Sequence, residues 1–567
     1  MRTRSLAAAF VLPLLAVVAP VAGAEPASGQ VAEFTVLTAA GHSVAAAEQA
    51  VRDAGGTVLR SNEAVGLVTA TAPAAGFPER VSASNAVYGA ARATSIGKAP
   101  QDRTGRKPDV EKEAHAAPAS GASAKPAPAG MDPLDGQLWG LKSVRSDLAR
   151  SVEPGDRRVK VGVIDTGIDA SHPDIAPNFD YADSRNFTRD IPNDETGAVV
   201  DGPCEYRGCV DPADHDDNGH GTHVAGTIAA AANGFGISGV APNVTLVNAR
   251  AGQDSGFFFL GPVVDALTYA GDAGLDVVNM SFYADPWLYN CGNNPADTPQ
   301  QRMEQRTIVE AITRALNYAH RKGVTSVVAL GNEHTDLGAP QSDATSPDYP
   351  AGAAHSRTID NATCLSMPTE GPHTIGVSAF GPSGKKADYS NYGTEQISVS
   401  APGGFFRDGY GTDWFRTNEN EILSAYPRNV AVAEGNVDAD GNVTPAGVAA
   451  GVQKATTPDG RTGYYQFLQG TSMATPHATG VAALIVSRYG RPGSGGFGLN
   501  PDAVQRVLEG TAAKISCPVP RTVDYLKEGR DASFTAICEG TPDFNGFYGH
   551  GMVDAYAAVT RGAPYLR

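Results

Sequence analysis

The sequence predicts an α/β fold with a doubly wound, mainly parallel sheet, preceded by a small α+β domain. Short apolar, β-branched segments alternate with helical segments of small residues through most of the chain. This alternation is typical of buried parallel strands that helices cover on both faces. The clearest strand candidates are residues 159–165, 244–249, 277–281 and 327–332. Two of them are bounded by polar residues, Asp165 and Asn332, and functional groups gather at the carboxyl ends of such strands.

The predicted α+β domain spans residues 25–97. Strands at residues 31–37, 57–59 and 66–70 and helices at 44–54 and 78–86 indicate a β-α-β-β-α-β order. That order suits a small domain with one sheet and one helical layer. A generic adaptor domain would show the same pattern, because no sharp motif marks the region.

Residues 1–24 have the pattern of a secretory signal. Arg2 and Arg4 precede an apolar stretch at residues 6–22, and Ala-Gly-Ala at residues 22–24 matches a cleavage site. No later apolar segment is long enough to span a bilayer. We therefore expect a secreted, extracellular protein with no membrane association once the signal is removed.

The cysteines and the charge agree with secretion. Six cysteines form an even set, as disulfide-bonded proteins have. Loop lengths favour the pairs Cys204 with Cys209 and Cys517 with Cys538, which leaves Cys291 with Cys364; free thiols are the alternative. The net charge of −17, from 44 basic and 61 acidic residues, argues against a nucleic-acid partner.

A candidate nucleophile stands in the stretch GTSMATPH at residues 470–477. Ser472 lies where a glycine-flanked turn enters a predicted helix, whose first N–H groups are unpaired and whose dipole favours negative charge. A serine that attacks a carbonyl needs such a setting, because the oxyanion must meet donors already in place. An ordinary helix cap would also use Thr or Ser there.

Three further segments supply the partners that a nucleophilic serine needs. Asp165 ends a predicted strand, His220 opens a predicted helix in NGHGTHVAGT at residues 218–227, and Asn332 follows another strand. Taken alone, Asp165 and Asn332 could form turns or caps. His220 and His223 are spaced i, i+3 with no glutamate between them, which argues against a zinc pair. We expect His223 and His477 to be packed structural histidines.

In the order Asp, His, Asn, Ser, these motifs resemble those of the subtilisin-like serine proteases, the subtilase family. The resemblance covers residues 137–558 and implies a subtilisin-like catalytic domain at residues 134–567. It implies that Asp165 orients His220, that His220 is the general base, and that Ser472 is the nucleophile. Asn332 and the Ser472 N–H would form the oxyanion hole. The implied activity is that of a serine endopeptidase acting through an acyl-enzyme; a peptide ligase or cyclase and an inactive secreted binding protein are the alternatives.

The resemblance also implies where an extended peptide substrate pairs with the enzyme. The implied contacts are Ser255, Gly256, Ser281 and Gly331. Tyr283 stands where the family usually has glycine, so we expect the primary pocket to be narrowed or reshaped.

The region before the catalytic domain resembles the inhibitor-type propeptides of the family. Residues 25–97 would be a ferredoxin-like propeptide, and residues 98–133 a Pro/Ala-rich linker that is cut between residues 96 and 134. The expected partners are polypeptide substrates and the chain's own propeptide as an intramolecular inhibitor. We expect a monomer.

Calcium is the cofactor to consider, and the chemistry itself needs none. Asp214, Asp216 and Asn218 match the first half of an EF-hand loop, but its twelfth position is Ala225, so a solvated acidic loop is predicted instead. The family resemblance implies a structural calcium site elsewhere, with an empty turn as the alternative. Its ligands would be Asp174, Asn233 and backbone carbonyls at Ala231, Phe235 and Ile237.

Overall fold

The structure, a computed structural model, describes residues 31–93, 95–98, 110–116, 132–193, 197–284, 287–347, 353–493 and 496–567. The predicted signal peptide and most of the predicted linker lie outside these ranges. Within them, no helix combines the length and the apolar character that crossing a membrane requires.

A four-stranded antiparallel sheet with two helices forms the N-terminal domain. Its elements are β1 (Val31–Thr38), α1 (Val44–Asp53), β2 (Thr57–Asn62), β3 (Leu67–Pro73), α2 (Phe77–Ser82) and β4 (Val87–Arg92). The strand order is β2-β3-β1-β4. Ser43 caps α1 by accepting a hydrogen bond from the Ala46 N–H, and apolar residues of both helices pack with Phe34 and Val36 of the sheet.

A short strand and the first half of the larger, C-terminal domain follow. The elements are β5 (Ser95–Lys98), α3 (Trp139–Ser143), α4 (Ser146–Ala149), β6 (Lys160–Ile164), β7 (Arg185–Asn186), α5 (His220–Ala229), β8 (Thr245–Arg250), β9 (Phe257–Phe259), α6 (Leu260–Asp272), β10 (Val277–Met280), β11 (Tyr283–Ala284), β12 (Asn290–Cys291), α7 (Pro299–Lys322) and β13 (Thr325–Ala329).

The second half contains shorter hairpins and the helix that carries the candidate serine. The elements are β14 (Ser342–Asp343), β15 (Arg357–Thr358), β16 (Cys364–Leu365), β17 (Thr374–Phe380), β18 (Ile397–Pro402), β19 (Ile422–Tyr426), α8 (Arg428–Ala433), α9 (Pro445–Ala449), β20 (Gln453–Thr456), β21 (Thr462–Leu468), α10 (Thr471–Tyr489), β22 (Arg491–Gly493), β23 (Gly496–Gly498), α11 (Pro501–Thr511), β24 (Thr522–Val523), β25 (Ala536–Ile537) and α12 (Ala555–Arg561).

A seven-stranded parallel sheet forms the centre of this domain. The strand order is β18-β17-β13-β10-β6-β8-β7, and every pairing in it is parallel. Two apolar clusters pack on the sheet: one includes residues of α5 and α10, and the other residues of α6 and α7. Helices cover both faces of the sheet, and the strands accordingly carry apolar side chains on both faces. The predicted doubly wound α/β fold is confirmed.

The N-terminal domain packs its sheet against helices α6 and α7. Leu37, Leu67 and Ala91 of the small sheet belong to the same apolar cluster as residues of the two helices. A Cβ on Gly89 would lie 2.4 Å from the Thr307 hydroxyl, so the close approach of β4 to α7 depends on this glycine.

Strand β5 lies between two strands of the larger, C-terminal domain. It pairs antiparallel with β9 on one side and with β11 on the other. The strand crosses the boundary that we predicted between propeptide and linker at residues 97 and 98.

All three predicted disulfides form. They join Cys204 to Cys209, Cys291 to Cys364 and Cys517 to Cys538. Cys291 and Cys364 lie in an apolar cluster with Leu330, the residue two positions before Asn332. This bridge therefore fastens a long surface insertion close to the candidate site.

Candidate active site

Asp165 lies at the carboxyl end of β6, in the middle of the central sheet. Its side chain is fully buried, and its Oδ1 accepts a hydrogen bond of 2.8 Å from the Thr166 N–H. The chain then turns through Gly167, whose φ of 145° falls in the region that favours glycine. A Cβ on Gly221 of α5 would lie 2.2 Å from the Gly167 carbonyl oxygen. Both glycines are needed for the helix to approach the carboxylate.

His220 is the first residue of α5 and faces Asp165. Gly219, with a φ of 96°, forms the N-cap. The buried Asp216 carboxylate accepts hydrogen bonds from the N–H groups of Gly219 and Thr222, which fixes the turn before the helix. The predicted solvated acidic loop is therefore wrong for Asp216. His220 Nδ1 donates to Asp165 Oδ1 over 2.8 Å, which is the geometry of an oriented base.

Ser472 is the second residue of α10, in its first turn. Gly470 is the N-cap, and nearly the whole helix is buried. The Ser472 side chain is 1% exposed, and its Oγ makes no hydrogen bond within the described residues. Its carbonyl oxygen accepts a 2.9 Å bond from the Ser281 hydroxyl, which anchors this turn to the end of β10. The Ser472 hydroxyl thus lies at a helix N-terminus and makes no hydrogen bond within the described residues.

Asn332 follows β13 and is oriented by the residue that precedes the serine. Its Oδ1 accepts hydrogen bonds from the Thr471 N–H at 2.9 Å and from the Thr471 hydroxyl at 2.8 Å. The hydroxyl in turn accepts a bond from the Gly331 N–H. With the oxygen held by Thr471, the amide Nδ2 is left to act as a donor in the cleft.

Glu111 links these groups, and sequence reasoning missed it. Its carboxylate lies 3.4 Å from His220 Nε2 and accepts a 3.3 Å hydrogen bond from Asn332 Nδ2. A Cβ on Gly470 would lie 2.6 Å from the same carboxylate. Burial opposes protonation of the imidazole, but the carboxylates of Asp165 and Glu111 outweigh it and raise the pKa of His220 well above its ordinary value.

Close contacts link Asp165, His220, Glu111 and Asn332 at the carboxyl edge of the sheet, and Ser472 follows Thr471, which holds Asn332. Asp165 contacts His220 directly, and Glu111 bridges His220 to Asn332. Asn332 is bonded to Thr471, the neighbour of Ser472. Asp165 and Asn332 follow β6 and β13, two parallel strands with β10 between them, and the helices that carry His220 and Ser472 start at the same edge of the sheet.

A model of the subtilase family matches residues 156–551, which is more than half of the chain. The chain belongs to the subtilase family. It is therefore a serine endopeptidase.

Known members of the family align with most of this subtilase. It is 28% identical over 403 residues to the thermophilic serine proteinase of Bacillus sp. (strain AK1), an alignment that covers 71% of this chain and 67% of that protein. It is 26% identical to thermitase of Thermoactinomyces vulgaris, covering 70% of this chain and 95% of thermitase.

The fold of this subtilase also resembles that of solved structures. The crystal structure of the epidermin leader peptide processing serine protease from Staphylococcus aureus superimposes with a TM-score of 0.62 at 18% identity. The match covers 94% of this chain and 99% of that one. At this identity the likeness concerns the fold alone.

Three of the predicted substrate contacts of this subtilase lie next to the strands that pair with β5. Ser255 and Gly256 directly precede β9, and Ser281 stands two residues before β11. The N–H and the hydroxyl of Ser255 both donate to the Asp201 carboxylate. These two groups of Ser255 therefore stabilise its own loop. Gly331 has a φ of 103° beside Asn332. The positions that pair with β5 are those of β9 and β11 themselves, immediately after the predicted ones.

The two other histidines near the site make contacts of a structural kind. His223 is fully buried and its Nε2 faces the carbonyls of Ile422 and Gln466. Burial, with the neighbouring His220, lowers the pKa of His223 to about 3. His477 bonds to the Met473 carbonyl, and burial lowers its pKa to about 4. Both rings are neutral, so neither competes with His220 for a proton.

The residues predicted to hold calcium do not fit that ion in this structure. Both oxygens of Asp174 accept hydrogen bonds: Oδ1 from the Asn233 amide at 3.2 Å, and Oδ2 from the Ile237 N–H at 3.0 Å and the Tyr465 hydroxyl at 2.7 Å. The Asn233 Oδ1 accepts from the Phe235 N–H. Calcium requires converging oxygen lone pairs, and here N–H and O–H donors take them. Burial raises the pKa of Asp174 to about 7.

The backbone of Asp174 is tied into the same turn, because its carbonyl oxygen accepts a hydrogen bond from the Ala231 N–H over 2.8 Å. The turn is closed by its own hydrogen bonds, as in the empty-turn alternative. We derive no role for calcium here.

Proposed function

We propose that this subtilase is a secreted endopeptidase that is made as an autoinhibited precursor and uses Asp165, His220 and Ser472 as its triad. The observation that carries the proposal is the buried 2.8 Å hydrogen bond between Asp165 and His220, beside the helix N-terminus that presents Ser472. Secretion is supported by the signal pattern of residues 1–24.

In the proposed mechanism, His220 takes the proton of Ser472 as its Oγ attacks the peptide carbonyl. Asp165 keeps the imidazole in the tautomer that accepts at Nε2 and stabilises the cation that forms. The Asn332 amide and the Ser472 N–H stabilise the oxyanion, because both donors are in place before the charge develops. The imidazolium then protonates the leaving amine, and water releases the acyl group by the reverse sequence.

The Glu111 contacts support the autoinhibited state. Its carboxylate binds the Asn332 donor and lies against Nε2 of His220, the two groups that the reaction needs. A protonated His220 cannot accept the serine proton, and the Ser472 hydroxyl makes no hydrogen bond to it within the described residues. His220 and Asn332 are thus in place, but the protonated His220 and the bound Asn332 amide cannot yet serve the reaction.

Strand β5 gives a second support, because it pairs with both edges of the cleft where an extended substrate would pair. The N-terminal domain would thus inhibit as a bound pseudo-substrate. Maturation would cut the chain between residues 96 and 134 and allow β5 and Glu111 to leave.

The test is to express the wild-type precursor and Ser472→Ala and to follow chain length by mass spectrometry. We expect the wild type to shed its N-terminal segment unaided and Ser472→Ala to persist uncut. The conservative Ser487→Ala, in the same helix, serves as the control and should process as the wild type does. Equal processing of wild type and Ser472→Ala would refute self-cleavage through this serine.

A further inference from the structure

A second carboxylate of the same segment, that of Glu113, is bound by two arginines of the catalytic domain. Arg407 contacts Glu113 Oε1 over 2.5 Å, and Arg530 contacts Oε2 over 2.6 Å. Gln469 Nε2 donates to Oε2 over 3.2 Å. Three donors on two oxygens make a built site for one carboxylate, and charge-assisted bonds of this kind are the strong ones.

The site belongs to the catalytic cleft. Gln469 stands three residues before Ser472, and its backbone N–H donates to the Glu111 carbonyl oxygen over 3.2 Å. Its side-chain amide also donates to the Val110 carbonyl oxygen over 2.8 Å. The cleft therefore binds the backbone of this peptide through Gln469 and its acidic side chain through the arginines.

The order of β5, Glu111 and Glu113 along the chain indicates on which side of the catalytic centre the Glu113 site lies. Strand β5 comes first and lies between β9 and β11, Glu111 comes next and contacts the catalytic groups, and Glu113 follows. A substrate chain that runs in the same direction has its acyl part first and its leaving part last. Glu113 thus lies on the leaving-group side of the catalytic centre.

The arginines retain an excess of positive charge when Glu113 leaves. Arg407 forms no other ion pair in the described part of the chain, and its Nη1 is held by the Glu528 carbonyl oxygen. Arg530 keeps Asp388 as a partner. With Glu113 in place the two side chains are 16% and 15% exposed; its departure removes one carboxylate from them and leaves Asp388 paired with Arg530.

We propose that Arg407 and Arg530, with Gln469, form a specificity subsite for an aspartate or glutamate side chain on the leaving-group side of polypeptide substrates. The proposal rests on the endopeptidase function proposed above. In the precursor, Glu113 fills the subsite; in the mature enzyme, a substrate carboxylate replaces it with the same ion pairs.

The experiment uses the mature enzyme, obtained from the full chain by its own processing, and peptides that are identical except for Glu or Gln at one leaving-group-side position. The varied position is moved along the leaving-group side of the peptide, and kcat/KM is measured for the Glu and the Gln peptide at each position. We expect a preference for Glu of about tenfold or more at one position, because hydrogen bonds between an arginine and a carboxylate are stronger than those to a neutral amide.

Arg407→Gln should reduce the Glu-to-Gln ratio toward one. Arg461→Gln, which removes an arginine from an exposed pair with Asp459, is the matched control and should keep the wild-type ratio. Both values in the Glu-to-Gln ratio are measured with the same variant, so a general loss of activity does not change the ratio. A ratio near one at every position in the wild type, or a ratio that Arg407→Gln leaves unchanged, would overturn the subsite. Failure to cleave any peptide would instead count against the proposed endopeptidase.

Discussion

At the scale of single residues, charge decides the protonation state of His220, the proposed catalytic base. His220 faces Asp165 at Nδ1 and Glu111 at Nε2, while its nearest histidine neighbour, His223, is neutral. The two carboxylates raise the pKa of His220, so the ring stays protonated to higher pH than an isolated histidine would. Catalysis needs the neutral ring, and self-processing should therefore rise with pH as His220 loses its proton.

Replacing Glu111 with Gln should shift that rise to lower pH. The variant removes one of the two negative charges, which lowers the pKa of His220 and makes the neutral base available earlier. A neighbouring opposite charge shifts a pKa by about 1–3 units, so we expect the midpoint to fall by about one unit. The measurement is the rate of self-cleavage of purified precursor against pH.

Asp459→Asn is the control for this experiment, because Asp459 forms an exposed pair with Arg461. Its midpoint should equal that of the wild type. If the midpoint of Glu111→Gln stayed in place or moved to higher pH, Glu111 would not set the charge of His220.

Residues whose role follows from a local motif were predictable from the sequence, and Glu111 was not. Short continuous motifs, with glycines close to the functional residue, mark Asp165, His220 and Ser472 in the sequence. Glu111 lies in an Ala- and Pro-rich stretch with no periodicity, and only its tertiary contacts give it a role. Residues 101–113 carry many charges of both signs, and nothing in the sequence distinguishes Glu111 and Glu113 from the other charged residues there.

At the scale of elements, strands with strong apolar runs were predicted close to their observed bounds. Residues 159–165 correspond to β6 (Lys160–Ile164), and residues 277–281 to β10 (Val277–Met280). Strand β5 was missed because its own residues carry no strand signal; it exists through pairing with β9 and β11. The hydroxyl of Tyr465, on the distant β21, donates to Asp174, and the sequence around Asp174 could not predict this contact.

The docking of the N-terminal domain on α6 depends on Asp265. This side chain accepts hydrogen bonds from Arg60 Nε at 3.0 Å and from the Asn62 amide at 2.8 Å, both on β2. After maturation, these bonds would help to keep the severed domain in place. Asp265→Ala should therefore release the severed domain faster, which gel filtration and the onset of peptide hydrolysis would both report.

Asp272→Ala is the matched control, because Asp272 lies on the same helix but pairs with Tyr318 and Lys322 of the catalytic domain. It should release the domain at the wild-type rate. Equal release from Asp265→Ala and wild type would exclude Asp265 from the interface.

At the scale of the whole molecule, the N-terminal domain, strand β5 and the segment at residues 110–113 engage one catalytic domain at three places. The domain packs on α6 and α7, β5 lies in the cleft between β9 and β11, and Glu111 and Glu113 contact the catalytic groups and the paired arginines. Each contact alone is modest. Because they belong to one chain, the second and third contacts form at high effective concentration.

Ser472 is the proposed nucleophile that His220 activates, and a titration of the mature enzyme with a serine-directed phosphonate tests this role directly. Peptide mass mapping gives the fraction of Ser472 that carries the adduct, and a peptide assay gives the remaining hydrolysis. We predict that the two change together, with hydrolysis lost in proportion to Ser472 modified. Full hydrolysis by an enzyme whose Ser472 is fully modified, or loss of hydrolysis with Ser472 unmodified, would contradict the account.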